Sequence, residues 1–331
     1  MRPTLLIDRS DRGRFELTGV TAVAALNGLV TNDVAALKPG QGQYAAALTA
    51  RGKIVADMVL LMLDDRLQLH TSPVAAPGLR AMLTKFVNPR FATLNDATDA
   101  TADLTLIGES AARTLANASG GSSGGSIAEG VLGELPTYAH VRATISERPV
   151  TIVRLPSIGS DNASVYSAIV SRADRDAVHA ALGAAGAEDA ADAVMETLRV
   201  ESGYPAWGVD MDDSTLPQEA NLDDMHAVSY TKGCYIGQET VARIHFRGHV
   251  NRSLRRLTFT GGIQPPRGAV LQDSEHRGIG DVRSTACSER EGAIGIGMVR
   301  REIDDGSTID VHWEGGGTSA VVTGKAKGAI S

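Results

Sequence analysis

The chain has 331 residues, about twice the usual size of one domain, so two or three compact units with ample buried surface are expected. Hydrophobic residues make up 43% and charged residues 21%, which excludes a disordered or fibrous chain, although aromatics are scarce at 4%. A formal net charge of -7 argues against a general basic hold on nucleic acid, which needs Lys and Arg to neutralise several phosphates.

In chain order, residues 14 to 18 alternate apolar and polar and run into Gly19, which predicts a short strand. Thr21 is the expected cap of a helix from Ala22 to about Val30, with Val23, Leu26, Leu29 and Val30 on one face and a stop at Thr31-Asn32-Asp33. Tyr44 to Thr49 and Ile54 to Leu63 read as paired strands joined by Ala50-Arg51-Gly52-Lys53, and Leu67 to His70 extends them into a meander. A helix over Ala75 to Val87, strands at Phe91 to Leu94 and Leu104 to Ile107, and a helix over Ala111 to Ala116 follow. The Gly/Ser run from Ser119 to Ser126 reads as a surface loop; a phosphate-binding loop is the sharper reading of its glycines, but no Lys-Ser/Thr pair follows. Strands near Thr137 to Ile145, Val150 to Leu155 and Ser164 to Val170, with helices over Arg172 to Leu182 and Ala190 to Ser202, make a second α+β block. After about Arg255, short strands broken by Gly and Pro have the spacing of a small antiparallel barrel.

No stretch approaches the roughly 20 apolar residues that span a bilayer, and the amino terminus has no apolar run of signal-peptide length. No membrane association is expected, and the expected location is cytoplasmic. Cys234 and Cys287 are the only cysteines, so there is no disulfide framework and no closed zinc or iron-sulfur site that this chain would hold alone. No metal site is expected.

Between Glu201 and Arg252, Gly, charged residues and His are dense and the periodicity of a core element is lost, which is the composition of a site-bearing loop. Lys232 stands two positions from the Cys234 thiol, and Gln238 and Glu239 begin a helix running through Arg243. A cation and a helix amino terminus near an exposed cysteine favour the reactive thiolate. The plainer reading of Cys234 is a small buried hydrophobe. Arg243, His245, Arg247, His249, Arg252, Arg255 and Arg256 form either a solvated basic face or a local nucleic-acid patch, of which the second is not expected to be the direct activity.

The run Lys232-Gly233-Cys234-Tyr235-Ile236-Gly237-Gln238-Glu239, continuing through Val241-Ala242-Arg243 to Arg247-Gly248, resembles the signature of the YgfZ family. Leu198 to Pro205, Leu216 to Leu222 and the block from Gly19 to Asp33 resemble the same family, so the likeness covers nearly the whole chain. That family is related to the aminomethyltransferase (T-protein) of the glycine cleavage system. The resemblance implies an α+β, three-lobed T-protein-like ring that binds folate. Its expected folate-binding region spans 1–255, with a discontinuous lobe of 1–50 and 137–255, an inserted ferredoxin-like lobe of about 51–136, and a carboxyl-terminal antiparallel β-barrel of 256–331. The implied ligand is tetrahydrofolate or a one-carbon derivative, and the implied partners are iron-sulfur client or assembly proteins, including tRNA-thiolating enzymes. Glu201 matches the T-protein glutamate that bonds the pterin, and Asp57, Tyr235 and Arg243 are the further expected folate-site residues. Cys234 and Lys232 are the expected reactive pair, within a signature that includes Gly233, Tyr235, Gly237, Gln238 and Glu239. T-proteins carry two adjacent aspartates where this chain has Ala56-Asp57, and they lack the Lys-Gly-Cys segment. Both departures favour an accessory protein over the alternative, a tetrahydrofolate-dependent aminomethyltransferase or related one-carbon transferase.

Overall fold

The structure, a computed structural model, describes residues 3–120 and 125–325. The middle of the expected Gly/Ser loop, 121–124, lies outside the described residues. By its internal contacts the chain divides into two units, the first made of 1–47, 56–158 and 162–192 and the second of 48–55, 159–161 and 193–331.

The first unit is built, in chain order, from β1 (Thr4–Asp8), β2 (Gly13–Thr18), α1 (Ala22–Asn27), β3 (Gly42–Leu48), β4 (Ile54–Met62), β5 (Leu67–Thr71), α2 (Ala76–Phe86), β6 (Thr93–Asp96), β7 (Thr101–Ile107), α3 (Ala111–Ala118), α4 (Glu129–Gly133), β8 (His140–Ile145), β9 (Arg148–Ile158), β10 (Ala163–Ser171), α5 (Arg175–Ala184) and β11 (Ala187–Asp189). The hairpin tip between β3 and β4 counts with the second unit. The strands form a five-stranded sheet ordered β3-β4-β5-β2-β6 and a six-stranded sheet ordered β11-β1-β7-β10-β9-β8.

Strand β10, inside the six-stranded sheet, is buried on both faces from Val165 to Val170, which is why its apolar residues do not alternate strictly. Alternate residues divide between two layers, as period-two geometry requires. Tyr166, Ala168 and Val170 pack with Leu115 of α3 and Val178 and Leu182 of α5. Ile169 and Val153 face the other way, against Leu61 and Leu63 of the five-stranded sheet. Because β7 pairs with β10, a lobe boundary at 136/137 would cut through this sheet.

The second unit contains α6 (Asp192–Ser202), α7 (Gln238–Arg247), β12 (Arg252–Phe259), β13 (Val270–Gln272), β14 (Gly278–Ser288), β15 (Gly292–Arg300), β16 (Thr308–Trp313) and β17 (Gly316–Lys325). The last six strands close into an antiparallel barrel ordered β12-β15-β14-β13-β16-β17, as the spacing of Gly and Pro suggested. Leu257, Leu271, Val282, Val311 and Val322 fill its interior.

Two local expectations are corrected. Thr21 makes no side-chain cap bond, and α1 stops at Asn27, because the Asn27 side chain accepts the Val34 N–H and the Asp33 side chain caps the short turn that follows. Strands β1 and β11, paired in parallel with one another, carried no alternation strong enough to predict them.

Candidate functional site

Asp57 occupies the middle of β4 in the first unit, on the strand face it shares with Val59 and Leu61. Its Oδ2 accepts a hydrogen bond from the Tyr44 hydroxyl at 2.7 Å, whereas Oδ1 is buried with no partner among the described residues. Burial pushes the Asp57 carboxyl above its ordinary value, opposed by the Tyr44 hydroxyl and the charge of Arg12. Burial and the adjacent carboxylate also push the Tyr44 hydroxyl well up, so Tyr44 stays a donor across the physiological range.

The Tyr138 ring stacks on Tyr44 with centroids 6.3 Å apart, and Tyr138 holds a φ of 66°, a left-handed conformation costly for an aromatic residue. Gly42 passes so close beneath it that a Cβ would meet the Tyr138 carbonyl oxygen at 2.5 Å. An open acceptor, a raised carboxyl and a strained aromatic neighbour together have the character of a ligand site rather than of packing.

Glu201 lies in the last turn of α6, in the second unit. Its Oε2 accepts the Ser160 N–H at 3.0 Å, and the neighbouring Ser202 hydroxyl oxygen accepts the Gly159 N–H at 2.7 Å. The turn at 159–161 is thereby pinned to the helix end, and Oε1 of Glu201 keeps its capacity to accept. Neither Ser160 nor Tyr44 was singled out in the sequence. Tyr44 could have been found by reading the β3–β4 hairpin for a polar group able to reach Asp57.

The Lys232–Glu239 signature forms a turn leading into α7. Cys234 is exposed, which decides against the reading of a buried hydrophobe. Lys232 places its ammonium 5.2 Å from the centroid of the Tyr235 ring. Tyr235 is buried, and its hydroxyl is pushed up to about 12 by burial and by the charge of Asp223. The Tyr235 N–H donates to the Gln238 side chain at 3.2 Å, closing the turn. Gly237 is the residue before α7, with a φ of 86°, and a Cβ there would lie 2.5 Å from the Thr49 carbonyl oxygen. Gly237 and Gln238 therefore fix the turn, while Cys234 presents the thiol.

Helix α7 runs to Arg247, beyond the expected Arg243, and Arg243 and Glu239 are exposed. Of the expected basic face, His245 stacks on Tyr230 at 3.6 Å between centroids. Arg252 pairs with Glu219, Arg255 with Asp305 and Arg256 with Glu291, so these three cations are neutralised locally. The Leu216–Leu222 block is scaffold: Gln218 donates to the Val241 carbonyl of α7 at 3.0 Å and Asn221 to the Leu254 carbonyl of β12 at 2.8 Å.

A family model described as the GCVT N-terminal domain matches residues 2–231. The chain belongs to this family. Among GCVT-family relatives, the chain is 27% identical to the tRNA-modifying protein YgfZ of Sodalis glossinidius, over 96% of this chain and 92% of that one. It is 29% identical to the iron-sulfur cluster assembly factor IBA57 homolog of Mycosarcoma maydis, over 77% of this chain and 57% of that one. It is 27% identical to the aminomethyltransferase of Thermosynechococcus vestitus, over 89% of this chain and 76% of that one. These relatives bear out the resemblance to YgfZ stated from the signature. The fold is that of the glycine cleavage aminomethyltransferase T of Bartonella henselae, with a TM-score of 0.83 at 24% identity over 97% of this chain and 85% of that one. Among the described residues, no helix is long and apolar enough to cross a membrane.

Proposed function

We propose that this GCVT-family chain is a folate-binding accessory protein that supports iron-sulfur cluster assembly or repair in client enzymes, including tRNA-thiolating ones. The observation that carries the proposal is the exposed Cys234 on a turn held by Gly237 and Gln238, in a chain similar to YgfZ along nearly its whole length. A thiol kept at the surface by a turn this constrained is suited to meeting a partner. Cys234 is the contact group in this reading, and Lys232 and Tyr235 shape its surroundings.

The donor set fits a reduced folate. The open, buried Oδ1 of Asp57 can accept from a ring N–H, and Glu201 can accept from an aminopyrimidinone through Oε1. Tyr44 and Tyr138 give a flat apolar wall beside Asp57. Folate, when bound, supplies a carrier nitrogen for a one-carbon unit. The residues of this chain bind and orient it, and Asp57 holds or releases a proton at Oδ1.

Aminomethyl transfer is the second reading, favoured by similarity to aminomethyltransferases over most of the chain. Ala56, fully buried where T-proteins carry an aspartate, counts against it. Activity of an iron-sulfur enzyme in cells whose copy of this protein carries Cys234→Ser separates the two. Loss of that activity with the variant folded supports the accessory role. Full activity, together with turnover of a methylamine-bearing substrate by the purified protein, would replace it with the transferase.

A further inference from the structure

We infer that Arg9 and Arg12 form a carboxylate-binding site in a small cavity between the two sheets of the first unit, on the same face of β4 as Asp57. The cavity, about 50 Å³, is lined by Arg9, Arg12, His70, Asp103 and Ser167, closed by apolar residues of β4, β9 and β10. That volume holds a carboxylate group or two waters and little more.

Four arginines lie in or beside the β1–β2 turn, and they divide into two kinds. Arg14 donates to the Ser10, Thr98 and Thr101 carbonyls and to the Thr101 hydroxyl, and Arg172 donates to the Ser10 and Thr98 carbonyls. Arg9 and Arg12 line the cavity, and their guanidinium groups have no hydrogen bond or ion pair among the described residues. Both side chains are half-buried, and two guanidinium forks that share the lining of one small cavity repel one another without an acceptor; a carboxylate is the acceptor their planar geometry matches. Burial and the neighbouring Arg12 lower Arg9 to about 10, the mark of a cation short of counter-charge, yet it stays charged at neutral pH.

The charge balance chooses the ligand. Asp103 is buried and already accepts the Ser167 hydroxyl at 2.5 Å and the Thr105 hydroxyl at 3.2 Å, so it offsets one of the two guanidinium charges from a fixed position. His70 is held neutral, pushed down to about 3 by burial and by Arg12. The lining thus keeps one net positive charge, which suits a monoanion and disfavours a dianion such as phosphate. The carboxylate can be that of a free small acid such as formate or that of an arm of a larger ligand.

The test uses the full-length protein and sodium formate, titrated calorimetrically against sodium chloride at matched ionic strength. A three-atom anion is expected to bind one site with a Kd of about a millimolar. Arg12→Gln and Arg9→Gln should each weaken it at least tenfold, and Arg12→Lys should keep part of the affinity. Asp103→Asn, which removes the competing charge, should tighten it. Should Arg9→Gln fail to fold, Arg12→Gln, on the turn, carries the same comparison. Displacement of formate by p-aminobenzoylglutamate would assign the carboxylate to the arm of a larger ligand; no displacement would assign it to a free acid. Absence of saturable formate binding, or affinity unchanged in Arg12→Gln and Asp103→Asn, would overturn the site and leave Arg12 as a distant counter-charge to Asp57. None of these outcomes depends on folate binding.

Discussion

Asp57→Asn separates what the residue does for a ligand from what it costs the fold. Asp57 is half-buried, one of its oxygens is bonded to Tyr44 and the other is buried and unpaired. A buried polar group without a partner costs about 1–3 kcal/mol, and more when charged. Asparagine keeps an acceptor for Tyr44 and removes the charge but leaves its own amide short of a partner, so the net gain is about 1 kcal/mol at neutral pH. The sign follows from linkage. The folded carboxyl titrates above 3.8, so its contribution is complete below that value and is lost as pH rises through the folded value. The advantage of Asp57→Asn over wild type should therefore be near zero at acid pH and grow toward pH 8. Urea unfolding of both proteins at several pH values reads this difference, and other titrating groups cancel in it. A variant less stable than wild type at pH 8, or a gap independent of pH, would refute the placement of Asp57 as a residue held against stability.

Four further outcomes follow from the same structure. His70, buried and held at about 3, stays neutral in the fold while it charges near 6.5 in the unfolded chain, so stability should fall as pH drops below 6.5 by up to about 1.4 kcal/mol per unit. His70→Leu should flatten that slope in urea unfolding, and an unchanged slope would exclude His70 as its source. Asp210 is completely buried and accepts from Arg199, Ser284 and the Ala206 N–H, so Asp210→Ala strands buried donors while Arg199 keeps Glu196, and should cost about 1–3 kcal/mol by chemical denaturation. Gly237→Ala forces a left-handed backbone and a clash with Thr49, an expected loss of about 1–3 kcal/mol, and a neutral result would contradict the close approach. Cys234→Ser, exposed and without a structural bond to lose, should unfold with wild-type midpoint, and a large shift would make the thiol structural after all.

Period-two and helical patterning made most strands and the long helices legible, because those elements bury one face or two. The closed barrel could be read from β12 to β17 for the same reason. What stayed hidden was long-range pairing. Strands β1 and β11 are short and become strands only because each has the other, and β1 has β7, to bond. The pairing of β7 with β10 likewise carries no local signal, so a lobe boundary could be drawn through one sheet. At the site, Cys234 and Gly237 announced themselves through spacing. Tyr44 and Ser160 did not, since their roles arise from contacts 13 and 41 residues away. The Leu216–Leu222 block was noticed for its resemblance, and its side chains turn out to fasten α7 and β12.

Calorimetric titration of tetrahydrofolate into wild type, Asp57→Asn and Glu201→Ala tests the central claim most directly. Saturable binding by wild type, weakened at least tenfold in each variant with the fold retained, is the expected result. No binding by wild type, or equal binding by all three proteins, would contradict folate recognition by Asp57 and Glu201 and leave the chain with the GCVT fold alone.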